Sequence, residues 1–269
     1  MTDDGPAPLF ANILCAVDGT RASTAAVRMA ACLAGPGGSL TLLAVTAASG
    51  AGVQATAAIG PARVGRVLAR AKRIADHAGV PATTIADPGH PPVKVILARA
   101  QEYDLLALGA PATSWFGGML VGGVASATLR AFTTPTLFVR ASFKGPLRGR
   151  RVMVASDGLD GSDQIVALAG KLAVDQDAPV TLVHALGSES RMHPHRIQSQ
   201  VKALSALAAT ESLIVPGRAV PVILSAVRST GAAIVVIGSR RLGGLQAFNS
   251  VSRRITHDSC SALVLPPPK

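Results

Sequence analysis

Short runs of apolar residues alternate along the chain with longer stretches in which apolar positions recur every three or four residues. The short runs are rich in Val, Leu and Ile and have no regular polar face, which is typical of strands buried on both sides. In the first half the pattern predicts strands at 12–17, 39–46, 82–87, 104–109 and 135–140, and helices at 19–34, 60–79, 90–101 and 122–132. Strands that alternate with helices form βαβ crossovers, so we predict a parallel sheet covered by helices on both faces.

The second half of the chain repeats the first. The run NILCAVDGT at 12–20 has a counterpart in RVMVASDGL at 151–159, and each apolar strand ends in Asp-Gly. Four further elements recur in the same order, including the pairs YDLLALGA and AAIVVIGS, and PTLFVR and SALVLP. We interpret the repeat as a tandem duplication that gives two domains, residues 1–145 and 146–269.

The second domain is the shorter one. Asp18 and Asp157 are 139 residues apart, whereas Gly109 and Gly238 are 129 apart, so about ten residues are missing between these points. We expect the loss in the connection between the second strand and the following helix, where the first domain has a long segment rich in Ala and Gly.

The predicted fold class is α/β, with two tandem doubly wound parallel sheets of Rossmann-like strand order 3-2-1-4-5. In this order the first and fourth strands are neighbours where the order reverses, and ligands bind outside the carboxyl ends of the strands at such a point. Asp18 and Gly19 follow the first strand, and Gly109 ends the fourth. The sequence therefore predicts a ligand site here. The alternative is that Asp18 caps a helix and the glycines permit close packing.

Composition and charge narrow the function further. The 269 residues are 49% hydrophobic and 15% charged, which fits folded domains rather than a disordered chain. The net charge of +11 permits anionic partners, but the arginines are spread along the sequence and only 3% of residues are aromatic. Because no platform of aromatic and basic residues is visible, nucleic-acid binding is not expected.

A cytoplasmic protein without a membrane span is expected. The uncharged stretch between Arg28 and Arg63 is broken by proline and several glycines, and its apolar runs are far shorter than the roughly 20 residues of a span. The acidic N-terminus lacks the basic start of a secretory signal. Cys15, Cys32 and Cys260 have no pair spacing, which favours buried thiols in a reducing compartment.

The sequence offers little to catalysis or metal binding. It has neither the G-x-x-x-x-G-K-[S/T] loop of P-loop NTPases nor the G-x-S-x-G elbow of hydrolases. No nucleophile and base form a familiar pattern, so no catalytic residues are predicted. His193 and His195 have no third ligand at zinc spacing, so no metal site is expected.

A glycine pattern follows the fourth strand of the first domain. Gly109 is followed by Ala112 and, after nine intervening residues, by Gly122 and Gly123, while V-D-G follows the first strand. This arrangement resembles the G-x2-G-x9-G-[S/T] pattern of the universal stress protein family in its tandem two-domain form. The resemblance covers nearly the whole chain.

The resemblance implies a regulatory adenine nucleotide, ATP with or without Mg²⁺, in a stress response, and at most a weak ATPase activity. It implies adenosine contacts from Asp18 and Val45. The loop residues implied to hold the phosphates and ribose are Gly109, Ala112, Gly122, Gly123 and Val124. It also implies a dimer-like contact through the last strands PTLFVR and SALVLP, formed within the chain, with a homodimer as the other possibility.

Departures from the family pattern leave a second function open. Ala112 stands where the family has its second glycine, and Gly123 has no hydroxyl. In the second domain Arg241 replaces the same glycine, and only seven residues separate it from Asn249, so that loop is two residues short. We therefore expect any ATP in the first domain. The alternative is a degenerate scaffold that binds no nucleotide and acts through protein–protein contacts.

Overall fold

Two compact units, Met1–Gly145 and Pro146–Lys269, make up the chain. Both are seen in a computed structural model that describes residues 7–35, 37–46, 61–88, 91–110, 124–187, 194–239, 251–256 and 260–267. Within these ranges each unit consists of strands that alternate with helices along the sequence, as the hydrophobic pattern predicts.

The first unit begins with a strand and continues through alternating elements. Its strands are β1 (Asn12–Ala16), β2 (Ser39–Val45), β3 (Ala82–Asp87), β4 (Leu105–Ala110) and β5 (Thr136–Arg140). Its helices are α1 (Arg21–Ala34), α2 (Pro61–His77), α3 (Pro92–Ala100) and α4 (Val124–Thr128). The five predicted strands are confirmed, each to within one residue at either end.

The second unit repeats this order. Its strands are β6 (Val152–Ala155), β7 (Val180–Leu186), β8 (Thr210–Pro216), β9 (Ile234–Gly238) and β10 (Ser261–Leu265). Its helices are α5 (Ser162–Asp175), α6 (Pro194–Ser205), α7 (Ala219–Thr230) and α8 (Val251–Thr256). Across the described ranges of both units, no helix combines the length and the hydropathy that crossing a lipid bilayer requires.

The strand order is the predicted one in both units. In the first it is β3-β2-β1-β4-β5, and the neighbouring strands are parallel. In the second it is β8-β7-β6-β9-β10, again parallel. Within the first unit α1 packs against α2, and α3 packs against α4. These pairings fit crossover helices that cover opposite faces of a doubly wound sheet.

Burial follows the position of a strand in its sheet. In central β1, Ile13, Leu14 and Cys15 have no exposed surface, which explains why this strand reads as a continuous apolar run. The outer strand β3 instead has exposed Thr83 and Thr84. The two strands whose carboxyl ends flank the predicted crevice, β1 and β4, therefore belong to the buried centre of the sheet.

All four predicted helices of the first domain are longer than the observed ones, and the first and fourth show why. The first begins at Arg21 rather than at residue 19, because Gly19 has φ +81° and is not helical. The fourth ends at Thr128 rather than at residue 132. Its last turn is tightened by a bond from Arg130 N to Ala127 O at 3.2 Å, which closes three residues instead of four.

The shortening of the second unit lies where it was predicted. Fifteen residues separate β2 from α2, whereas seven separate β7 from α6. The helix itself is also shorter, with 12 residues in α6 and 17 in α2.

Gly109 at the end of β4 lies directly under the first turn of α1. A Cβ at this position would be 2.6 Å from the backbone carbon of Ala22 and 2.9 Å from Cα of Ser23. At the equivalent Gly238, a Cβ would meet the far end of the Ile165 side chain, with Cδ1 at 2.5 Å. Backbone cannot yield as a side-chain end can, so the requirement for glycine is stricter in the first unit.

We expect Gly109→Ala to lower the free energy of unfolding by about 1–3 kcal/mol, because the methyl group must displace the first turn of α1. Gly238→Ala is expected to cost less, since Ile165 can change rotamer. Urea denaturation of the full chain with each variant checks the comparison. Equal losses would contradict the close backbone contact at Gly109.

Candidate functional site

A tight turn joins the end of β1 to the start of α1. Asp18 Oδ1 accepts a hydrogen bond from Thr20 N at 2.9 Å, which closes an Asx turn around Gly19. Gly19 has φ +81°, a conformation that glycine adopts without strain. The Asp-Gly pair in the sequence is thus explained by the geometry of this turn.

Thr20, and not Asp18, caps α1. Thr20 Oγ1 accepts from Ser23 N at 3.1 Å, which satisfies one of the free amides of the first helical turn. The alternative of a capping Asp18 is therefore wrong, since its carboxylate oxygen bonds the amide of Thr20 before the helix begins. Asp18 is half-buried, so part of its side chain faces solvent.

Ser23 connects this turn to β4. The amide of Asp18 donates to Ser23 Oγ at 3.4 Å, and Ser23 Oγ donates to Thr20 O at 3.1 Å. Gly109 packs against the backbone of Ser23, as described above. The first helical turn therefore holds the ends of β1 and β4 next to each other, as the strand order predicts.

The end of β2 directs backbone groups to the same edge of the sheet. In a parallel strand, alternate residues bond to opposite neighbours. Leu43 O accepts from Val17 N at 2.8 Å, whereas Thr46 N donates to Asp87 O at 2.8 Å on the other side. Val45 therefore turns its N–H and C=O towards β1, two residues beyond the last position of β2 that pairs with β1.

The glycine loop is described in part. Val124 is half-buried at the start of α4, and α4 packs against β4. Ala112, Gly122 and Gly123 lie outside the described residues. The structure thus groups the residues predicted for adenosine with the first glycine of the loop.

The Asp18 carboxylate also affects a buried thiol. The pKa of Cys15 is raised to about 12, first by complete burial and second by the negative charge of Asp18. A thiol with this pKa is protonated at neutral pH and is a poor nucleophile.

Comparison with known proteins identifies the family. The family model described as "Universal stress protein family" matches the chain twice, at residues 10–140 and 149–266. The chain belongs to this family. Its two units are thus two universal stress protein domains in tandem. No curated protein matches the chain in sequence.

Two solved structures agree in fold over nearly the whole chain. A universal stress protein from Archaeoglobus fulgidus DSM 4304 has 18% identity and a TM-score of 0.78, with 97% of each chain covered. A protein of unknown function from Pseudomonas aeruginosa PAO1 has 16% identity and a TM-score of 0.67, covering 96% of this chain and 93% of that one. An Archaeoglobus fulgidus universal stress protein in complex with dAMP covers 44% of this chain and 98% of that one, at 19% identity and a TM-score of 0.34.

The second universal stress protein domain keeps the Asp-Gly turn. Asp157 Oδ1 accepts from Leu159 N at 3.0 Å, and Gly158 has φ +72°. Under this turn the domain has buried polar side chains. Ser156 Oγ donates to Gln200 Oε1 at 2.7 Å and lies 3.1 Å from Ser162 Oγ.

These bonds extend into an ion pair on the surface. Gln200 Nε2 donates to Ser162 Oγ at 3.0 Å and to Asp163 Oδ1 at 2.7 Å, and Arg196 Nη2 donates to Asp163 Oδ2 at 2.6 Å. Hydrogen bonds from Gln200 and then Arg196 hold the pKa of Asp163 below its usual value. We call Ser156, Ser162, Asp163, Arg196 and Gln200 the second-domain network.

Sequence reasoning missed several of these interactions. The Thr20–Ser23 cap has a visible signal, a hydroxyl residue three positions before its partner, which Asp18 obscured. An ion pair between Arg99 Nη2 and Asp87 Oδ2, 2.6 Å apart at the end of β3, has no such signal. The Ser156–Gln200 bond joins residues 44 apart, and nothing in the local pattern reveals it.

We expect Thr20→Ala to lower the free energy of unfolding by about 1 kcal/mol, because the Ser23 amide loses its acceptor. Thr20→Ser keeps the hydroxyl and is expected to retain most of the stability. Urea denaturation of both variants is the measurement. A Thr20→Ala protein as stable as the wild type would contradict the capping role.

Proposed function

We propose that this universal stress protein binds one adenine nucleotide, ATP, as a regulatory ligand at the carboxyl ends of β1, β2 and β4 in its first domain. The observation that carries the proposal is the position of Asp18, Val45 and Gly109 at the carboxyl ends of three adjacent strands, where the strand order reverses. The proposal includes a cytoplasmic location, which is favoured by three cysteines that form no disulfide.

Asp18 is suited to hold the ribose. One carboxylate oxygen closes the Asx turn and fixes the side chain, while the other has no hydrogen-bond partner among the described residues. A carboxylate fixed in this way accepts hydrogen bonds from hydroxyl groups, and such bonds to an ionised acceptor are stronger than neutral ones. Because Asp18 is half-buried, a ligand would shield this bond from water.

Val45 is suited to recognise the base. Its backbone N–H and C=O face the β1 side after the strand pairing there has ended. An adenine edge presents a ring nitrogen that accepts and an amino group that donates, so one extended residue can satisfy both. A few fixed polar groups in an otherwise apolar crevice are the usual means of orienting a small ligand.

Gly109 lies where β4 leads into the loop implied to hold the phosphates. Its packing against Ala22 and Ser23 keeps this strand end beside the turn that carries Asp18. Any Mg²⁺ would be held mainly by phosphate oxygens and water, as is usual for this ion.

The second domain is less suited to the same ligand. The bond from Ser156 N to Val183 O is equivalent to the bond from Val17 N to Leu43 O in the first domain. Two residues farther along each second strand, Ala185 is therefore the counterpart of Val45. The carbonyl of Ala185 accepts a bond from Gly187 N at 3.1 Å and is already engaged. The loop of this domain is also two residues short. These differences support a single nucleotide site per chain.

We expect calorimetric titration with ATP and Mg²⁺ to give at most one site per chain. Asp18→Asn is expected to weaken binding about tenfold, because the charge is lost while the acceptor of the Asx turn is kept. Asp157→Asn is the matched control in the second domain and is expected to leave the affinity unchanged.

Two equivalent sites would contradict the asymmetry between the domains. An equal effect of the two substitutions would contradict the choice of the first crevice. If the wild type releases no heat with ATP and shows no binding by equilibrium dialysis, the proposal fails, and the alternative of a scaffold without nucleotide takes its place.

A further inference from the structure

The exposed face of α2 is a row of arginines. Arg63, Arg66, Arg70 and Arg73 are all exposed and are spaced by three, four and three residues. At 100° per residue they fall within about 80° of the helix circumference, over about 15 Å of its length. The opposite side of α2 packs on β2 and β3, so the helix is fixed and the row faces solvent.

The row lacks ion-pair partners among the described residues. In the described part of the chain, none of the four arginines lies within 4.0 Å of a carboxylate oxygen. The one carboxylate of α2, Asp76, pairs instead with Lys72 at 2.7 Å.

The duplicated helix α6 shows that the row is not needed for the fold. A Cβ at Gly19 would meet Val67 at 2.9 Å, and a Cβ at the equivalent Gly158 would meet Ile197 at 3.2 Å. This contact aligns the two helices with an offset of 130 residues. In α6 the counterparts of Arg70 and Arg73 are therefore Gln200 and Ala203.

The remaining arginine of α6 is neutralised. Arg196, the counterpart of Arg66, bonds Asp163 and also pairs with Asp160. Asp163 lies in the first turn of α5, and Asp160 lies two residues before the helix begins. Their counterparts in the first unit, aligned through the Asp-Gly turn, are Thr24 and Arg21, so the charge opposite the helix is reversed.

Helices α5 and α6 of the second unit border a groove of about 770 Å³, whose lining includes Asp160, Ala167, Arg196, Gln200 and Ala203. The first unit has an arginine at each of these five positions. We define the arginine face as the five arginines of the first unit at these positions together with Arg63, the first arginine of α2. Its members, all exposed, are Arg21, Arg28, Arg63, Arg66, Arg70 and Arg73.

We propose that the arginine face binds the phosphodiester backbone of double-stranded nucleic acid without regard to base sequence. Over 15 Å a duplex presents about nine phosphate charges, so a row of this length spans several of them. Guanidinium groups match phosphate oxygens in geometry, and all six residues are Arg rather than Lys. Base-independent binding of this kind uses backbone contacts alone.

The scarcity of aromatic residues favours double-stranded over single-stranded nucleic acid as the ligand of the arginine face. Proteins that bind single strands stack the bases on aromatic side chains, whereas the bases of a duplex are already stacked on each other. The composition therefore excludes a stacking platform but places no limit on contacts to a duplex backbone.

An acidic protein is a poorer match to the arginine face. Stable protein interfaces have apolar or aromatic anchors at their centre. The large hydrophobic side chains that are exposed in the described ranges, Val174, Leu207, Ile214 and Val215, all belong to the second unit.

Fluorescence anisotropy of the full chain with a labelled 20-base-pair DNA duplex of mixed sequence tests the proposal. If five arginines contact phosphates, the affinity is expected to fall about 500-fold between 50 and 200 mM salt. The variant Arg66→Gln, Arg70→Gln, Arg73→Gln removes three contacts, and its fall is expected to be about 12-fold over the same range. Gln is a good helix former, so α2 is expected to remain folded.

The matched control is Lys171→Gln, Lys202→Gln, Arg228→Gln, which removes three exposed positive charges from the second unit. It is expected to keep the steep salt dependence of the wild type. The variant Arg66→Lys, Arg70→Lys, Arg73→Lys is also expected to keep it, because the charges remain. ATP titration of each variant separates this surface from the nucleotide site, and no change in ATP affinity is expected.

Absence of duplex binding at 50 mM salt would overturn the proposal, as would equal losses in the α2 variant and the control. Tighter binding of a 20-nucleotide single strand than of the duplex would indicate contacts to bases and would also overturn it. Displacement of the duplex by poly-glutamate at equal charge would assign the arginine face to an acidic protein instead.

Discussion

The first turn of α1 lies so close to the end of β4 that no side chain fits between them. Because Gly109 meets backbone and not a side chain, the helix start and the strand end have a fixed separation. Thr20, Ser23 and the Asx turn of Asp18 then follow, since each satisfies a polar group of that turn. The edge of the sheet at the reversal of strand order is thus fixed by close contact between backbones, and Asp18 is part of the turn that this contact holds.

Duplication has kept this frame and changed the chemistry around it. Both units retain the glycine of positive φ after the first strand and the same parallel strand order. What differs are side chains on the helices that cover the sheet. In the first unit α1 and α2 present to solvent arginines that have no carboxylate partner among the described residues, and in the second unit the equivalent helices take part in a network of hydrogen bonds under the turn. A fold whose core is apolar allows such changes because the core does not depend on them.

The sequence predicts the strands, their order and the position of the shortened connection, because buried strands and their flanking turns leave local signals. It also predicts Asp18 and Gly109 at one edge, since parallel strands end together, whereas Val45 is implied only by the family resemblance. The sequence does not identify the N-cap of α1, because Asp18 and Thr20 are both residue types that cap helices. The arginine face is not predicted either. The arginines are spread along the sequence, and their common position becomes visible only when the helical period of α2 is applied.

The second-domain network has a mechanical consequence. Hydrogen bonds are directional, and the buried oxygens of Ser156 and Gln200 would lose their partners if α6 moved along the sheet. In the described part of the first unit no side-chain hydrogen bond joins α2 to α1 or β1, so α2 is held by the packing of its apolar face on α1, β2 and β3. Apolar contacts have no preferred direction, whereas the hydrogen bonds of α6 do. The same crossover helix is therefore held to its sheet by apolar packing in one domain, and by packing together with register-specific hydrogen bonds in the other.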